Sequence, residues 1–351
     1  MKIGILTHPL HTNYGGLLQA LALQTVLEYL GNKVIIINRE YPKKKCPLFL
    51  TLKESLKQLL DKYVYNYKIT SFVSDNYHKS RELNNDETFS KYIKESDFDA
   101  IIVGSDQVWR PQYSPNIFNY YLDVTEGMNM KRISYAASFG VDEWEYSQKE
   151  TEKCSILARL FDAISVREKS GIKLCKEYLG VNACLVLDPT MLLNKEYYIA
   201  LTQKYKEPTF KGNLFCYVLD NDAAKNNLIS TVINELGLRP FYCSDPHGRE
   251  IRPSVTQWIR GFMDADMIVT DSFHGTVFSI IFNKPFWVIG NERRGLSRFE
   301  SLLKLFGLEN RLIQTDNPVD LKSQIDWDGV NARLNEMRSY SLTFLKNALS
   351  N

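Results

Sequence analysis

The chain has little excess charge and few cysteines. Its 43 lysine and arginine residues almost balance 41 aspartate and glutamate residues, which gives a formal net charge of +2. The densest basic cluster is only Lys43, Lys44 and Lys45, so we expect no nucleic-acid partner, which would need a basic footprint. The six cysteines include no close CxxC pair. We therefore expect buried free thiols, with no disulfide framework and no zinc site.

Long apolar runs are also missing. No stretch approaches the roughly 20 residues that a membrane-spanning helix needs. A strand pattern begins within the first residues and leaves no room for a signal peptide. We therefore expect a cytoplasmic protein.

What the chain does contain is an alternation of short Val-rich and Ile-rich runs with helical patterns, which is typical of a parallel sheet covered by helices. The strand candidates of the first series are Ile3–Leu6, Val34–Asn38, Ala100–Val103, Ile133–Ala136, Ala163–Val166 and Leu185–Leu187. Those of the second series are Leu214–Leu219, Phe241–Cys243, Met267–Thr270 and Phe286–Ile289. Because 351 residues exceed the usual size of one core, we predict an α/β protein with two Rossmann-like, doubly wound domains.

The predicted domains have the following bounds. Residues 1–200 form the N-terminal Rossmann-like domain, with a helical insertion at about 43–96. Residues 212–310 form the C-terminal Rossmann-like domain, and the polar stretch Lys204–Gly212 is the best candidate for a linker. Residues 311–351 form a helical segment that ends in one long helix after Asp328.

The segment 267–282 is the most informative part of the sequence. An apolar strand runs directly into Asp271, Ser272, His274 and Gly275, and an apolar helix follows. Ligands of open α/β sheets bind at the carboxyl ends of strands, and the N–H groups at a helix start favour an anion. A purely structural interpretation stays open, in which Asp271 or Ser272 caps the helix and His274 is a satisfied, half-buried histidine.

A second strand-to-helix turn follows the first strand. Asn13, Gly15 and Gly16 precede a helix and would let a ligand approach the backbone closely, although a tight turn alone would also explain them. The loop is not GxGxxG and has no Walker lysine, so it predicts neither dinucleotide binding nor P-loop chemistry. His8 and His11 lie in the same loop, but no third ligand is apparent and we predict no metal.

Three more strand ends in the first half have polar tips. Ser105 and Asp106 follow one strand, Ser138 follows the next, and Arg167 ends a third. Because the carboxyl ends of parallel strands meet at one edge of a sheet, we expect these side chains to converge on a small-molecule site. Arg167 alone could equally form an ordinary surface ion pair.

A basic loop follows the strand that ends at Ile289. Arg293, Arg294 and Arg298 could clamp a phosphate or carboxylate bidentately. A solvated basic loop is the alternative interpretation. Next to the start of the His274 helix, an anionic small molecule becomes the better hypothesis.

At these residues the chain resembles the polysaccharide pyruvyl transferase family over roughly residues 2 to 300. The matching motifs are the Asn13/Gly15/Gly16 loop, Val103–Asp106, Ser165–Glu168, Asp188–Thr190 and Thr270–Phe278. The resemblance implies a GT-B-like fold and a transferase that moves the pyruvyl group of phosphoenolpyruvate onto a sugar of a cell-surface polysaccharide or exopolysaccharide precursor, forming a ketal and releasing phosphate. It implies no cofactor, a sugar or lipid-linked saccharide as acceptor, and peripheral membrane association through that acceptor.

The resemblance also implies roles for single residues. Arg167 would bind the anion, and His274 would bind phosphate or carry the proton. Position in the sequence adds Asp106 and Asp271 as candidate bases, and Arg294 or Arg298 as anion clamps. The remaining candidates for substrate binding are Ser272, Gly275, Asn13, Gly15, Gly16, Ser105 and Ser138.

One departure leaves the donor open. Family motifs often carry a basic residue two positions before the histidine, where this chain has Ser272. One alternative is therefore a GT-B glycosyltransferase that uses a nucleotide sugar, for which a carboxylate such as Glu292 would contact the ribose. Another is a non-catalytic sugar-binding protein of a polysaccharide assembly complex.

Overall fold

The structure is a computed structural model that describes residues 1–42, 60, 64–220, 222–243, 252–290, 295–313, 321 and 323–350. The chain divides into two compact units. The first unit comprises Met1–Thr51, Val73–Leu192 and Glu336–Asn351, and the second comprises Leu52–Phe72 and Leu193–Asn335.

The first unit is built on a parallel sheet with the strand order β2-β1-β3-β4-β5-β6. Its strands are β1 Lys2–Leu6, β2 Lys33–Ile36, β3 Ala100–Val103, β4 Lys131–Ala137, β5 Ala163–Val166 and β6 Cys184–Leu185. The central strand β3 is buried along its whole length, because helices cover both faces of such a sheet. This explains why its sequence is continuously apolar and does not alternate.

The α-helices that precede Leu192 in the sequence are α1 Tyr14–Tyr29, α2 Tyr67–Asn76, α3 Asp86–Glu95, α4 Gln148–Ala158 and α5 Lys169–Leu174. Two of them begin with a capping box, formed by Asn85 with Thr88 and by Ser147 with Glu150. Of the predicted insertion at about 43–96, the described part contains α2 and α3, and most of its first third lies outside the described residues.

The second unit contains another parallel sheet, with the strand order β11-β10-β9-β7-β8. Its elements are α6 Lys195–Lys204, β7 Leu214–Tyr217, α7 Ala223–Leu236, β8 Pro240–Tyr242, α8 Val255–Asp264, β9 Met267–Thr270, α9 Phe273–Ile281, β10 Phe286–Ile289, α10 Ser297–Phe306 and β11 Leu312–Ile313. Every residue of α9 is buried, because it is the apolar helix at the centre of this unit.

The division of the chain lies between Leu192 and Leu193, ahead of the linker that we predicted from the polar stretch Lys204–Gly212. Helix α6 therefore belongs to the second unit. Its buried Tyr198 packs edge-on against Phe278 of α9, with 4.9 Å between ring centroids. Aromatic packing thus places this helix in the second unit, which the polar composition of the following stretch did not indicate.

The long C-terminal helix is present as α11, Trp327–Ser350. Its last part clusters with the first unit. There the Ser341 hydroxyl accepts the Leu187 N–H at 3.0 Å, and the Arg338 Nε donates to the Met191 carbonyl at 2.8 Å. The helix therefore completes the first unit next to the Asp188 turn.

Two further expectations concern thiols and membranes. Among the described cysteines, all of which are free, Cys154, Cys175, Cys216 and Cys243 are buried and Cys184 is partly exposed, while Cys46 lies outside the described residues. The described helices include none that is both long and apolar enough to cross a bilayer.

Candidate active site

The carboxyl edge of the first sheet holds a buried ion-pair cluster around Arg167. This residue follows β5, and its guanidinium donates to the Asp106 carboxylate at 2.9 Å and to the Asp188 carboxylate at 3.0 Å. The Glu168 carboxylate lies 3.9 Å from Arg167 Nε. The nearby carboxylates raise the pKa of Arg167 despite the opposing effect of burial, so the residue stays cationic.

Asp188 and Ser105 connect this cluster to the first helix. The other oxygen of Asp188 accepts the Thr190 hydroxyl at 2.7 Å, and the Ser105 hydroxyl donates to Asp188 at 3.2 Å. The Ser105 N–H donates to the Gln19 side chain of α1 at 3.0 Å, and Gln19 donates to the Thr7 hydroxyl at 2.8 Å. The ends of β1, β3, β5 and β6 thus share one hydrogen-bonded network, which brings Ser105, Asp106 and Arg167 together.

Ser138 makes hydrogen bonds that stabilise the loop in which it lies. Its hydroxyl accepts the Gly140 N–H at 3.0 Å, and its own N–H donates to the Asp106 carbonyl at 2.9 Å. The residue is fully buried. These contacts favour a role in holding the loop beside Asp106 over the direct substrate contact that we predicted for Ser138.

The glycine loop before α1 is a capped helix start. The Asn13 side chain accepts the Gly16 N–H at 3.2 Å, and Gly15 is buried in the first turn. A Cβ atom on Gly16 would lie 3.3 Å from the Asn13 amide, so a larger residue would crowd the cap. The observed geometry corresponds to the tight-turn interpretation, and the predicted substrate contacts of this loop stay predictions.

His8 is the residue of this edge that sequence reasoning set aside. It is half-buried at the end of β1, and its ring lies 6.1 Å from the ring of Tyr120. Burial lowers its pKa, Arg167 adds to that effect, and Asp106 and a hydrogen bond with the Gln107 backbone oppose it. The sequence signal was the histidine directly after a strand, but we tested it only as a metal ligand.

In the second unit, Asp271 follows β9 and is fully buried. One of its oxygens accepts the Leu219 N–H at 2.7 Å, and the other accepts the Lys225 ammonium at 2.7 Å and the Asp220 N–H at 3.2 Å. Lys225 is itself nearly buried, at the start of α7. The contacts favour a positioning role for Asp271, which fixes the β7–α7 turn, over the base that we predicted from its place in the sequence.

Ser272 and Gly275 build the start of α9. The Ser272 hydroxyl accepts the Gly275 N–H at 3.3 Å and so caps the helix, as the structural interpretation proposed. A Cβ atom on Gly275 would lie 2.3 Å from Thr270 Oγ1, so glycine is needed where the helix crosses the strand. The helix start is therefore held close to the end of β9.

His274 lies in the first turn of α9 and is 6% exposed. Its ring meets the neighbouring Phe273 ring edge-on at 5.4 Å. The guanidinium of Arg298, in the first turn of α10, lies 5.7 Å from the centre of the Phe273 ring. The structure thus brings Arg298 to the helix start that carries His274, while the predicted clamp Arg294 lies outside the described residues.

The described part of the chain contains no group of three or more His, Cys, Asp or Glu side chains arranged as metal ligands. What the two strand-end clusters offer is acid–base and charge chemistry. In the first unit one guanidinium balances several carboxylates beside an imidazole. In the second, an imidazole and a guanidinium lie at the start of a helix, whose N-terminal dipole favours anions.

Comparisons with known sequences agree with the motifs. The sequence model of the polysaccharide pyruvyl transferase family matches residues 13–293, which is more than half of the chain. The match includes the helix starts that carry Asn13 and His274 and the ion-pair cluster of Arg167. A search of curated proteins found no match.

Solved structures share the fold over nearly the whole chain. One is UDP-GlcNAc 2-epimerase from Methanocaldococcus jannaschii, at 12% identity and a TM-score of 0.53, covering 95% of this chain and 92% of that chain. The enzyme of the same name from Neisseria meningitidis, bound to UDP-GlcNAc, is 10% identical, with a TM-score of 0.53. The match covers 99% of this chain and 94% of that chain. An O-GlcNAc transferase variant from Thermobaculum terrenum is 10% identical, with a TM-score of 0.50. The match covers 99% of this chain but only 66% of the longer transferase chain.

At such low identity the likeness shows the fold alone. Glycosyltransferases and epimerases of the GT-B type have two Rossmann-like domains. The likeness, the two parallel sheets and the long terminal helix confirm the predicted GT-B-like α/β fold.

Proposed function

Because the chain belongs to the polysaccharide pyruvyl transferase family, and with it to the transferases, we propose that it transfers the pyruvyl group of phosphoenolpyruvate to a sugar of a cell-surface polysaccharide precursor. The observation that carries the proposal is the family match over residues 13–293, which includes Arg167 with its carboxylate partners and the start of the helix that carries His274. The fold neighbours do not decide between donors, since one GT-B scaffold supports different chemistries.

The reaction needs a proton donor, a base and cations. A proton adds to the methylene carbon of phosphoenolpyruvate, and the central carbon becomes an oxocarbenium-like electrophile. One sugar hydroxyl attacks this carbon and loses its proton. Phosphate then leaves with the C–O bonding electrons, and a second hydroxyl closes the ketal and gives up its proton. One of the two hydroxyl protons balances the proton now in the methyl group, and the other leaves with phosphate.

His274 is our candidate for the proton donor or phosphate ligand, because it lies in the first turn of a helix whose N-terminus favours an anion. Arg298 lies beside the same turn, against Phe273, and would supply the positive charge that Ser272 does not. Arg294 keeps the predicted role of a second clamp. Asp271 fixes the turn before this helix through Lys225.

In the first unit, Asp106 is the predicted base and Arg167 the predicted anion ligand. Their mutual bond at 2.9 Å gives each of them a positioning partner. The remaining candidate substrate contacts are Asn13, Gly15, Gly16, Ser105 and Gly275, while Ser138 holds the loop beside Asp106. The acceptor would be a sugar or lipid-linked saccharide, and a lipid-linked acceptor would bring the protein to the cytoplasmic face of a membrane.

The test measures phosphate released from phosphoenolpyruvate as a function of an added sugar acceptor, with mass spectrometry of the product. Acceptor-dependent phosphate release together with a pyruvylated sugar is the expected result. Release without an acceptor would be hydrolysis only. Transfer from a nucleotide sugar, with no reaction of phosphoenolpyruvate, would establish the glycosyltransferase alternative, and sugar binding without any turnover would establish the non-catalytic one.

Replacement of His274 tests the catalytic assignment. We expect His274→Gln to reduce kcat by about 10²–10⁴-fold, the usual range for loss of an acid–base group. His78→Gln is the matched control, because His78 is largely exposed and bonds Glu28 on the surface of the first unit. If His274→Gln raised only the KM for phosphoenolpyruvate, the residue would bind the donor without transferring a proton.

A further inference from the structure

The Asp106 carboxylate is poorly placed to remove a proton. One of its oxygens accepts the Arg167 guanidinium at 2.9 Å and the Gln107 N–H at 2.9 Å. The side chain is 6% exposed. A buried carboxylate that balances a guanidinium would have to break this arrangement to accept a proton, and breaking a buried ion pair is costly.

His8 follows the end of β1, the strand next to β3 in the sheet, and is only partly buried, whereas Asp106 and Arg167 are buried. It directly follows Thr7, whose hydroxyl donates to the Ser105 carbonyl at 3.0 Å and so fixes the end of β1 against the end of β3. The Tyr120 hydroxyl bonds the Thr7 carbonyl at 3.3 Å, and the Tyr120 ring lies 6.1 Å from the His8 ring. Backbone and side-chain contacts therefore define where the imidazole is held.

The groups that face His8 favour a neutral imidazole with a usable lone pair. Burial lowers its pKa from the ordinary value, Arg167 lowers it further, and Asp106 and the Gln107 backbone raise it. Tyr120 stays uncharged, because burial raises its own pKa. A neutral imidazole has one ring nitrogen that can accept a proton, whichever nitrogen carries the hydrogen.

We propose that His8, held beside the Asp106–Arg167 ion pair, is the catalytic base that accepts the proton of the attacking acceptor hydroxyl. The proposal rests on the proposed function and replaces Asp106 as the proton acceptor. As the sugar oxygen bonds to the central carbon, its proton moves to the unprotonated ring nitrogen of the neutral His8 side chain. The imidazolium is stabilised by Asp106, and it returns the proton to the departing phosphate or to water.

The role of Asp106 then becomes positional. A negative charge beside an imidazole stabilises its protonated form, which is the state that exists after the hydroxyl has lost its proton. Arg167 holds this carboxylate in place through their bond at 2.9 Å. A hydroxyl acceptor, such as a sugar, is the class of substrate that such a base serves.

The experiment compares His8→Ala with His11→Ala in the acceptor-dependent phosphate assay, across pH. His11 is the matched control, because it lies in the same loop but is 55% exposed and bonds Glu40 at 2.8 Å. We expect kcat to fall by about 10²–10⁴-fold in His8→Ala and to change little in His11→Ala. Added imidazole should restore part of the activity of His8→Ala only.

The pH profile distinguishes a base from a merely structural residue. In the native protein, the activity should fall as the pH decreases through the lowered pKa of His8, because the protonated ring cannot accept a proton. This acid limb should disappear in His8→Gln, while calorimetry should show unchanged binding of phosphoenolpyruvate. An unchanged acid limb together with no rescue by imidazole would overturn the role of His8.

The two proposals fail in different ways. If the native protein releases no phosphate with any acceptor, the proposed function is wrong. If the native protein turns over and His8→Ala turns over equally fast, only the role of His8 is wrong. Equal losses in His8→Ala and His11→Ala would indicate a general effect on the loop and would also contradict a specific base.

Discussion

The strand-end clusters of the two units differ in how many buried carboxylates each buried cation pairs with. In the first unit, one cation, Arg167, lies between Asp106 and Asp188, with Glu168 close by. In the second, Lys225 balances a single buried carboxylate, Asp271. The first cluster therefore contains more carboxylates than cations, whereas the buried pair of the second contains one of each.

This difference predicts different chemistry. Burial and Arg167 keep the ring of His8 neutral before the reaction, and the Asp106 carboxylate stabilises the proton that the ring accepts during it. A neutral Asp271–Lys225 pair does not oppose an anion at the start of α9, where Arg298 adds positive charge. The comparison supports the proposed proton acceptance by His8 in the first unit and the proposed anion contact at the start of α9 in the second.

Removal of the two cations should produce the largest effects. Arg167→Met would leave more than one carboxylate without its cation in the interior, and Lys225→Met would leave one, so both should lower the free energy of unfolding by about 3–5 kcal/mol, with Arg167→Met at the upper end. Denaturant titrations would measure the loss. Arg260→Met is the control, because the Arg260–Asp264 pair is only partly buried and should contribute little.

The relative losses of stability in the two variants test whether the two clusters differ in this way. A larger loss for Lys225→Met than for Arg167→Met would mean that other groups compensate for the additional carboxylates of the first unit. Partial recovery in Lys225→Met combined with Asp271→Asn would show that the buried carboxylate causes the loss.

The two helix starts should differ in their tolerance of a methyl group. Gly275→Ala would place a Cβ atom 2.3 Å from Thr270 Oγ1, whereas Gly16→Ala would place one 3.3 Å from the Asn13 side chain. Overpacking of this kind costs about 1–3 kcal/mol, so we expect a clear shift of the thermal midpoint for Gly275→Ala and a smaller one for Gly16→Ala. Equal shifts would contradict the tight approach of α9 to β9.

The smallest expected effect is the pH dependence of folding stability that His8 and His11 cause in the first unit. The pKa of His8 is lowered in the folded state, so the unfolded state binds more protons below about pH 6.5, and folding stability decreases as the pH falls through this range. The pKa of His11 is raised by its bond with Glu40, so its contribution is present below about pH 6.5 and is lost as the pH rises through its raised pKa.

Thermal midpoints measured from pH 5 to 8 would test both signs. Relative to the native protein, His8→Gln should become progressively more stable as the pH decreases, and His11→Gln should become less stable. The same sign for both variants would show that the electrostatic surroundings of His8 are not those described above.

The regular parts of this fold could be predicted from the sequence, because they depend on local patterns. All ten predicted strands are present, since each is a short apolar run in the sequence. The two-residue strand β11 was missed, because Leu312–Ile313 is too short to show a period.

The parts that could not be predicted depend on partners distant in the sequence. Lys225 meets Asp271 across 46 positions, and Arg167 meets Asp106 across 61. No periodicity encodes such a pair, so Asp271 and Asp106 had the same status in the sequence although their surroundings differ. His8 was underrated for the same reason, since its neighbours Asp106 and Tyr120 come from far along the chain.

The contacts of helix α11 set a condition on the order of folding. The Ser341 hydroxyl holds the Leu187 N–H, 154 positions earlier, immediately before Asp188. During synthesis the first sheet emerges long before Ser341 does, so the first unit remains unfinished while the whole second unit is made. Contacts of such long sequence separation slow folding. A nascent chain stalled before Ser341 would therefore hold its Arg167 cluster without the support that α11 provides.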